Sequence, residues 1–155
     1  MKKILLLFCF LLISITSFGQ YEKVFIDSTK SQTQIFGKTQ EFISKTFNSA
    51  KSVIDLADAS NGELISKGVL NTKLSGTAVE TYTHATIEFI SKDGKCKMII
   101  SNIYIEYTST IITYKTITEA SEKGKKRYIN FLSDLENEIS QMQSSFEKLL
   151  TNNNF

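Results

Sequence analysis

Residues 91 to 97 read "SKDGKCK", and the Asp93-Gly94 pair within them constrains the fold more than any other feature of the chain. A two-residue Asp-Gly loop between apolar β-rich segments closes a hairpin, and the turn sets the register of both arms. Lys92 then pairs with Lys95, and the ladder runs outward through "VETYTHATIEFIS" and "KCKMIISNIYIEY". On one side Phe89 faces Met98, Ile87 faces Ile100, Ala85 faces Asn102 and Thr83 faces Tyr104; this drier side is the expected core. On the other side Ile90 meets Lys97, Glu88 meets Ile99, Thr86 meets Ser101, His84 meets Ile103 and Tyr82 meets Ile105. With helices covering the first side, Tyr82, Ile90, Ile99, Ile103, Ile105 and Tyr107 make a partly apolar exposed face. Monomers seldom leave such a face bare. It is the candidate interaction surface, for a protein partner of unknown identity or for a second copy; the alternative is that residues 108 to 118 fold back over it.

The remaining elements follow from their periodicities. "EKVFIDS" reads as a short strand. Ser31-x-x-Gln34 is a capping box, and Ile35, Phe36, Phe42, Ile43 and Phe47 recur at helical spacing, which predicts a helix over about 32–47. "SVIDLAD" and "ELISKGVLNTKL" read as strands about an "ASNG" turn, with Gly68 marking a bulge or a close approach. Near the C-terminus Tyr128, Leu132, Leu135, Ile139, Met142, Phe146 and Leu149 step by alternating fours and threes, which predicts a long amphipathic helix over about 126–150. That stripe suits either packing on the chain's own sheet or a seam between subunits. The order strand, helix, four strands, helix argues an α+β fold: an antiparallel sheet with two helices on one face.

The first twenty residues, "MKKILLLFCFLLISITSFGQ", carry Lys2 and Lys3, an apolar run from Ile4 to Ile13, and small residues at Ser17 and Gly19. This is the pattern of a signal peptide cleaved after Gly19, leaving Gln20 first. The run is shorter than the ~20 residues that span a bilayer. Leu7 and Phe8 before Cys9 do not suit a lipoprotein site. The expectation is a processed, non-transmembrane protein in the periplasm or cell envelope of a Gram-negative bacterium, with residues 20–155 as one domain.

Processing removes Lys2 and Lys3 from 18 basic residues, so 16 basic then face 16 acidic ones. A neutral exported chain has no global field to attract nucleic acid, and no nucleic-acid partner is expected. Cys96 becomes the sole cysteine, so no intrachain disulfide forms, and it reads as a small buried hydrophobe.

Candidate chemistry is sparse. His84 is the single histidine, so neither a Ser-His-Asp nor a two-histidine metal set can be assembled; it reads as a plain exposed strand residue. Asp55, Asp58 and Glu63 cluster at "DASNGE", but Val69 and Leu70 stand where a calcium loop would need its last ligand, so a hydrogen-bonded turn is expected. "EKGKKR", residues 122–127, reads as a solvated helix approach. No catalytic residue, metal or cofactor is expected.

Two stretches, "KVFIDSTKSQTQIFGKTQEFISKTFNSAKSVIDLADASNGELISKGVL" and "THATIEFISKDGKCKMIISNIYIEY", resemble a family of exported bacterial domains of unknown function with a TATA-binding-protein-like fold. The resemblance spans roughly Lys23 to Tyr107. It departs from the family where members tend to carry a tryptophan in the first helix, here Phe42, and arginine-aromatic-arginine after the hairpin glycine, here Lys95, Cys96 and Lys97. It implies the fold and export, and no activity. The expected function is a non-enzymatic binding module of the cell envelope using the outer sheet face; the alternative is a hydrolase working with carboxylates or hydroxyls alone.

Overall fold

The computed structural model describes residues 21–47, 53–77 and 80–152; the expected signal peptide lies outside them. The elements are β1 (Tyr21–Ile26), α1 (Gln32–Thr46), β2 (Ile54–Asp58), β3 (Glu63–Leu70), β4 (Thr81–Lys92), β5 (Lys95–Tyr107), β6 (Thr110–Thr113), α2 (Tyr114–Glu122) and α3 (Lys126–Thr151). The sheet is antiparallel, in the order β1-β5-β4-β3-β2, and β6 continues the β1 edge along the second half of β5. The fold is α+β, with one strand and one helix more than the sequence pattern predicts. Residues 108–118 supply the strand and the first half of the helix. They do not cross the outer sheet face: β6 joins the edge, and α2 enters the helical layer with Ile117 fully buried.

The three helices α1, α2 and α3 lie on one face. α1 begins with the expected capping box, Ser31 Oγ accepting from the Gln34 amide and the Gln34 side chain accepting from the Ser31 amide. It buries Ile35, Phe36, Thr39, Phe42 and Ile43. α3 buries Tyr128, Phe131, Leu135, Ile139, Met142, Phe146 and Leu150, while Leu132 and Leu149 are only partly covered. Those seven step by 3, 4, 4, 3, 4 and 4, close to the 3.6 period of a straight helix and away from the 3.5 of a coiled-coil seam. The helix therefore packs on its own sheet. At the centre Phe146 meets Phe25, Phe42 and Phe89 with ring centroids 4.9, 5.4 and 4.9 Å apart.

The hairpin register holds from Lys92↔Lys95 to Thr86↔Ser101 and then breaks. Asn102 takes a left-handed backbone (φ 51°) and bulges out, so His84 pairs with Tyr104 and Thr83 with Ile105. One extra residue reverses the face of everything beyond it. Ile103 and Ile105, expected on the outer face, are core residues, 3% and 0% exposed. Tyr104, expected inside, is outside.

Candidate functional site

The face opposite the helices carries no other element among the described residues, and the register arranges its side chains in rows across the strands. One row reads Ile65, Glu88, Ile99 and Glu22. The next is Lys67, Thr86 and Ser101, and the third is Val69, His84, Tyr104 and Thr113. Glu63, Ile90, Lys97 and Val24 lie beyond the first; Tyr82, Glu106 and Ile111 lie beyond the third.

Seven large apolar side chains are notably exposed among the described residues: Val24, Ile26, Leu56, Val69, Tyr82, Ile111 and Ile129. Strand alternation puts the first six on this open face, and Ile129 alone sits on a helix. Of the expected face residues, Tyr82 is exposed, Ile90 is half-buried on the face, and Ile99 is on the face but only 7% exposed. Tyr107, expected there too, lies half-buried on the covered side, because beyond the bulge it alternates with Ile103 and Ile105 and pairs with the buried Thr81. Ile99 is sheltered because Glu22 and Glu88 flank it, and Lys97 reaches diagonally across to Glu22 (2.7 Å). Val24, Ile26, Leu56, Val69 and Ile111 are the members that the unbroken hairpin register could not supply. Their signal was alternation, in the edge strands β1, β2 and β6 and, for Val69, in the interior strand β3.

The charges on this face are largely balanced in place. Lys97 pairs with Glu22, Lys67 with Asp55 at 2.6 Å, and Lys73 with Glu80, which also accepts from the Tyr82 hydroxyl at 3.1 Å. That acceptor, and the negative charge behind it, raise the Tyr82 phenol above its ordinary range. His84 is not the plain exposed residue expected: its ring stacks on Tyr104 (centroids 4.8 Å, planes 10° apart), and Nε2 lies 2.9 Å from a Glu106 carboxylate oxygen. The bulge creates that pairing, because it swings Tyr104 beside His84.

Thr86 and Ser101 of the middle row are short side chains, and the row opens into a depression of about 490 Å³ lined by Val53, Lys67, His84, Thr86, Asn102 and Tyr104. The Asn102 amide donates to Thr86 Oγ1 at 3.3 Å across its rim. Elsewhere, the Asp58 carboxylate takes hydrogen bonds from Ser60 and Asn61, as a turn anchor does, and those bonds hold it down at about 2. Cys96 is fully buried, and burial pushes its thiol up to about 11. Among the described residues no cluster of His, Cys, Asp and Glu could hold a metal ion, and no helix is long and apolar enough to cross a membrane. The basic run at residues 122–127 forms the exposed turn between α2 and α3, with the Arg127 guanidinium over the Tyr128 ring at 4.8 Å.

Comparison with solved structures places the same architecture in two proteins. A DUF4468 family protein from Bacteroides ovatus ATCC 8483 superposes with a TM-score of 0.63 at 16% identity, over 83% of this chain and 85% of that one. A TBP-like protein from Parabacteroides distasonis ATCC 8503 gives 0.59 at 13% identity, over 83% and 92%. At those identities the likeness is one of fold. No curated protein matches the chain. The family model for a domain of unknown function with TBP-like fold (DUF4468) matches residues 21–106, from β1 to the end of the long hairpin, and the chain belongs to that family.

Proposed function

We propose that the protein is a non-catalytic interaction module of the bacterial cell envelope, exported by its N-terminal leader, which docks a protein partner on the open sheet face. One observation carries the reading: among the described residues, six of the seven exposed large apolar side chains project from the face that no described helix covers. Apolar surface of that extent marks a contact site. The partner is a protein surface with apolar residues among balanced charges, because Glu22, Asp55 and Glu106 are each matched by a base of this chain. The same pairing occupies the carboxylates and the imidazole that a hydrolytic mechanism would employ.

The test is site-specific photocrosslinking in the native envelope. A photoreactive residue at Val69 or Tyr82 yields a discrete protein adduct, and the same residue at Ile129, on the helical side, yields none. Adducts confined to Ile129, or none from Val69 and Tyr82, overturn the reading.

A further inference from the structure

We propose that the occupant of the open face is a second copy of this chain, turned end for end about a two-fold axis that crosses β4 at Thr86. This rests on the docking reading above and names its partner. The face is close to a palindrome about its middle row. On one side of Lys67, Thr86 and Ser101 stand Ile65, Glu88 and Ile99; on the other stand Val69, His84 and Tyr104. Reversing one copy lays Ile65 on Val69, Glu88 on His84 and Ile99 on Tyr104 of the other, and the symmetry repeats each contact. Glu88 is half-buried and has no ionic partner among the described residues; the second copy's His84, whose Nε2 is held by its own Glu106, offers it the other ring nitrogen, Nδ1.

The next rows continue the pattern, with Ile90 toward Tyr82, Lys97 toward Glu106 and Val24 toward Ile111. Stacked sheets cross at about 30°, which slides the first rows sideways by about 3.4 Å, less than the ~4.8 Å between strands. The second rows slide about twice as far, so the inner rows carry the match. A two-fold axis running along β4 instead would set Glu88 against Glu88, a like-charge contact at the centre; the proposed axis sets Lys67 near its own counterpart, a charge that Asp55 of the same chain already offsets at 2.6 Å.

Position and size agree. β4 is the middle of the five strands in the β1-to-β2 order, so an axis there overlaps the whole face. Five strands at ~4.8 Å and about eight residues at ~3.4 Å span roughly 24 by 27 Å, on the order of 650 Å² per copy. That approaches the ~800 Å² per partner of a stable interface. The depression at Thr86 falls on the axis. Its Lys67, Thr86 and Asn102 lining suits bridging water between the copies.

The experiment combines light scattering with thiol crosslinking of the full chain on a Cys9→Ser background. Cys96 is fully buried, so an added surface cysteine is the reactive thiol. The expected result is a concentration-dependent dimer in which Thr86→Cys is joined to itself by a short bis-maleimide and Tyr82→Cys is not. Glu88→Lys keeps the wild-type melting temperature and weakens dimerisation at least tenfold. Self-crosslinking at Tyr82→Cys would move the axis along β4 and overturn the proposed arrangement. A monomer at every concentration would overturn the second copy as occupant. The docking reading then stands if Val69 and Tyr82 still crosslink to another protein, and falls with it if they do not.

Discussion

Asp27 shows how single side chains hold this molecule together. Its carboxylate takes the Lys30 ammonium at 2.6 Å with both side chains nearly covered, while its amide donates to the Gly94 carbonyl and Gly94 donates to the Lys30 carbonyl. The end of β1, the approach to α1 and the tip of the long hairpin are thereby joined. The Lys30 and Thr29 hydrogen bonds hold the Asp27 carboxyl at about 2, below its ordinary 3.8. A carboxyl depressed in the folded state favours folding above its unfolded value, and that contribution is lost as pH falls from about 4 toward 2. Asp58 behaves alike. Urea unfolding of wild type should therefore lose stability across that window, and Asp27→Asn with Asp58→Asn should flatten the loss. An unchanged slope in the double variant would assign the acid sensitivity elsewhere. Position decides a second prediction. Ile103→Lys buries an unpaired charge in the core and should destabilise by several kcal/mol, whereas Val69→Lys, on the open face, should shift the melting point little.

Between elements, the long hairpin shows where sequence reasoning held and where it stopped. The Asp-Gly turn specified seven correct rungs, because turn chemistry and side-chain alternation agreed that far. Beyond Ser101 alternation alone was the guide, and both frames placed isoleucines on one face. Asn102 was the signal available, since Asn is among the few residues that tolerate a left-handed backbone inside a strand. Asn102→Val should cost about 1–2 kcal/mol and Asn102→Gly far less, measured by denaturant midpoint. β6 and α2 were hidden for another reason: "TIITYKTITEASE" is rich in β-branched residues, and Thr113 capping the Thr116 amide starts a helix where local propensity favours a strand. Gly68 was legible as a close approach, and the contact is specific: a Cβ there would lie 2.3 Å from the Phe47 ring. Gly68→Ala should lose about 1–3 kcal/mol through this overlap, and much less on a Phe47→Ala background. Equal losses in both backgrounds would show that the ring is not the obstacle.

At the scale of the whole molecule, the two faces of one sheet have opposite duties, and the aromatic cluster at the centre of the covered face makes the helical layer and the sheet one body. Phe146 comes from α3, Phe42 from α1, Phe25 from the edge strand β1 and Phe89 from the central strand β4. Phe146 touches all three others at edge-to-face or tilted angles, and it is fully buried. Aromatic pairs in such geometries add about 0.5–1.5 kcal/mol each beyond burial, and a buried Phe→Ala change costs about 3–5 kcal/mol. Because the ring links elements more than a hundred residues apart in sequence, its loss cannot be absorbed within α3 alone. Phe146→Ala should therefore lower the melting temperature of the entire chain by more than 10 °C while leaving one transition, the same by near-ultraviolet and far-ultraviolet circular dichroism. Two separated transitions would mean that the C-terminal helices melt independently of the sheet, and that the open face rests on a scaffold the helices do not share.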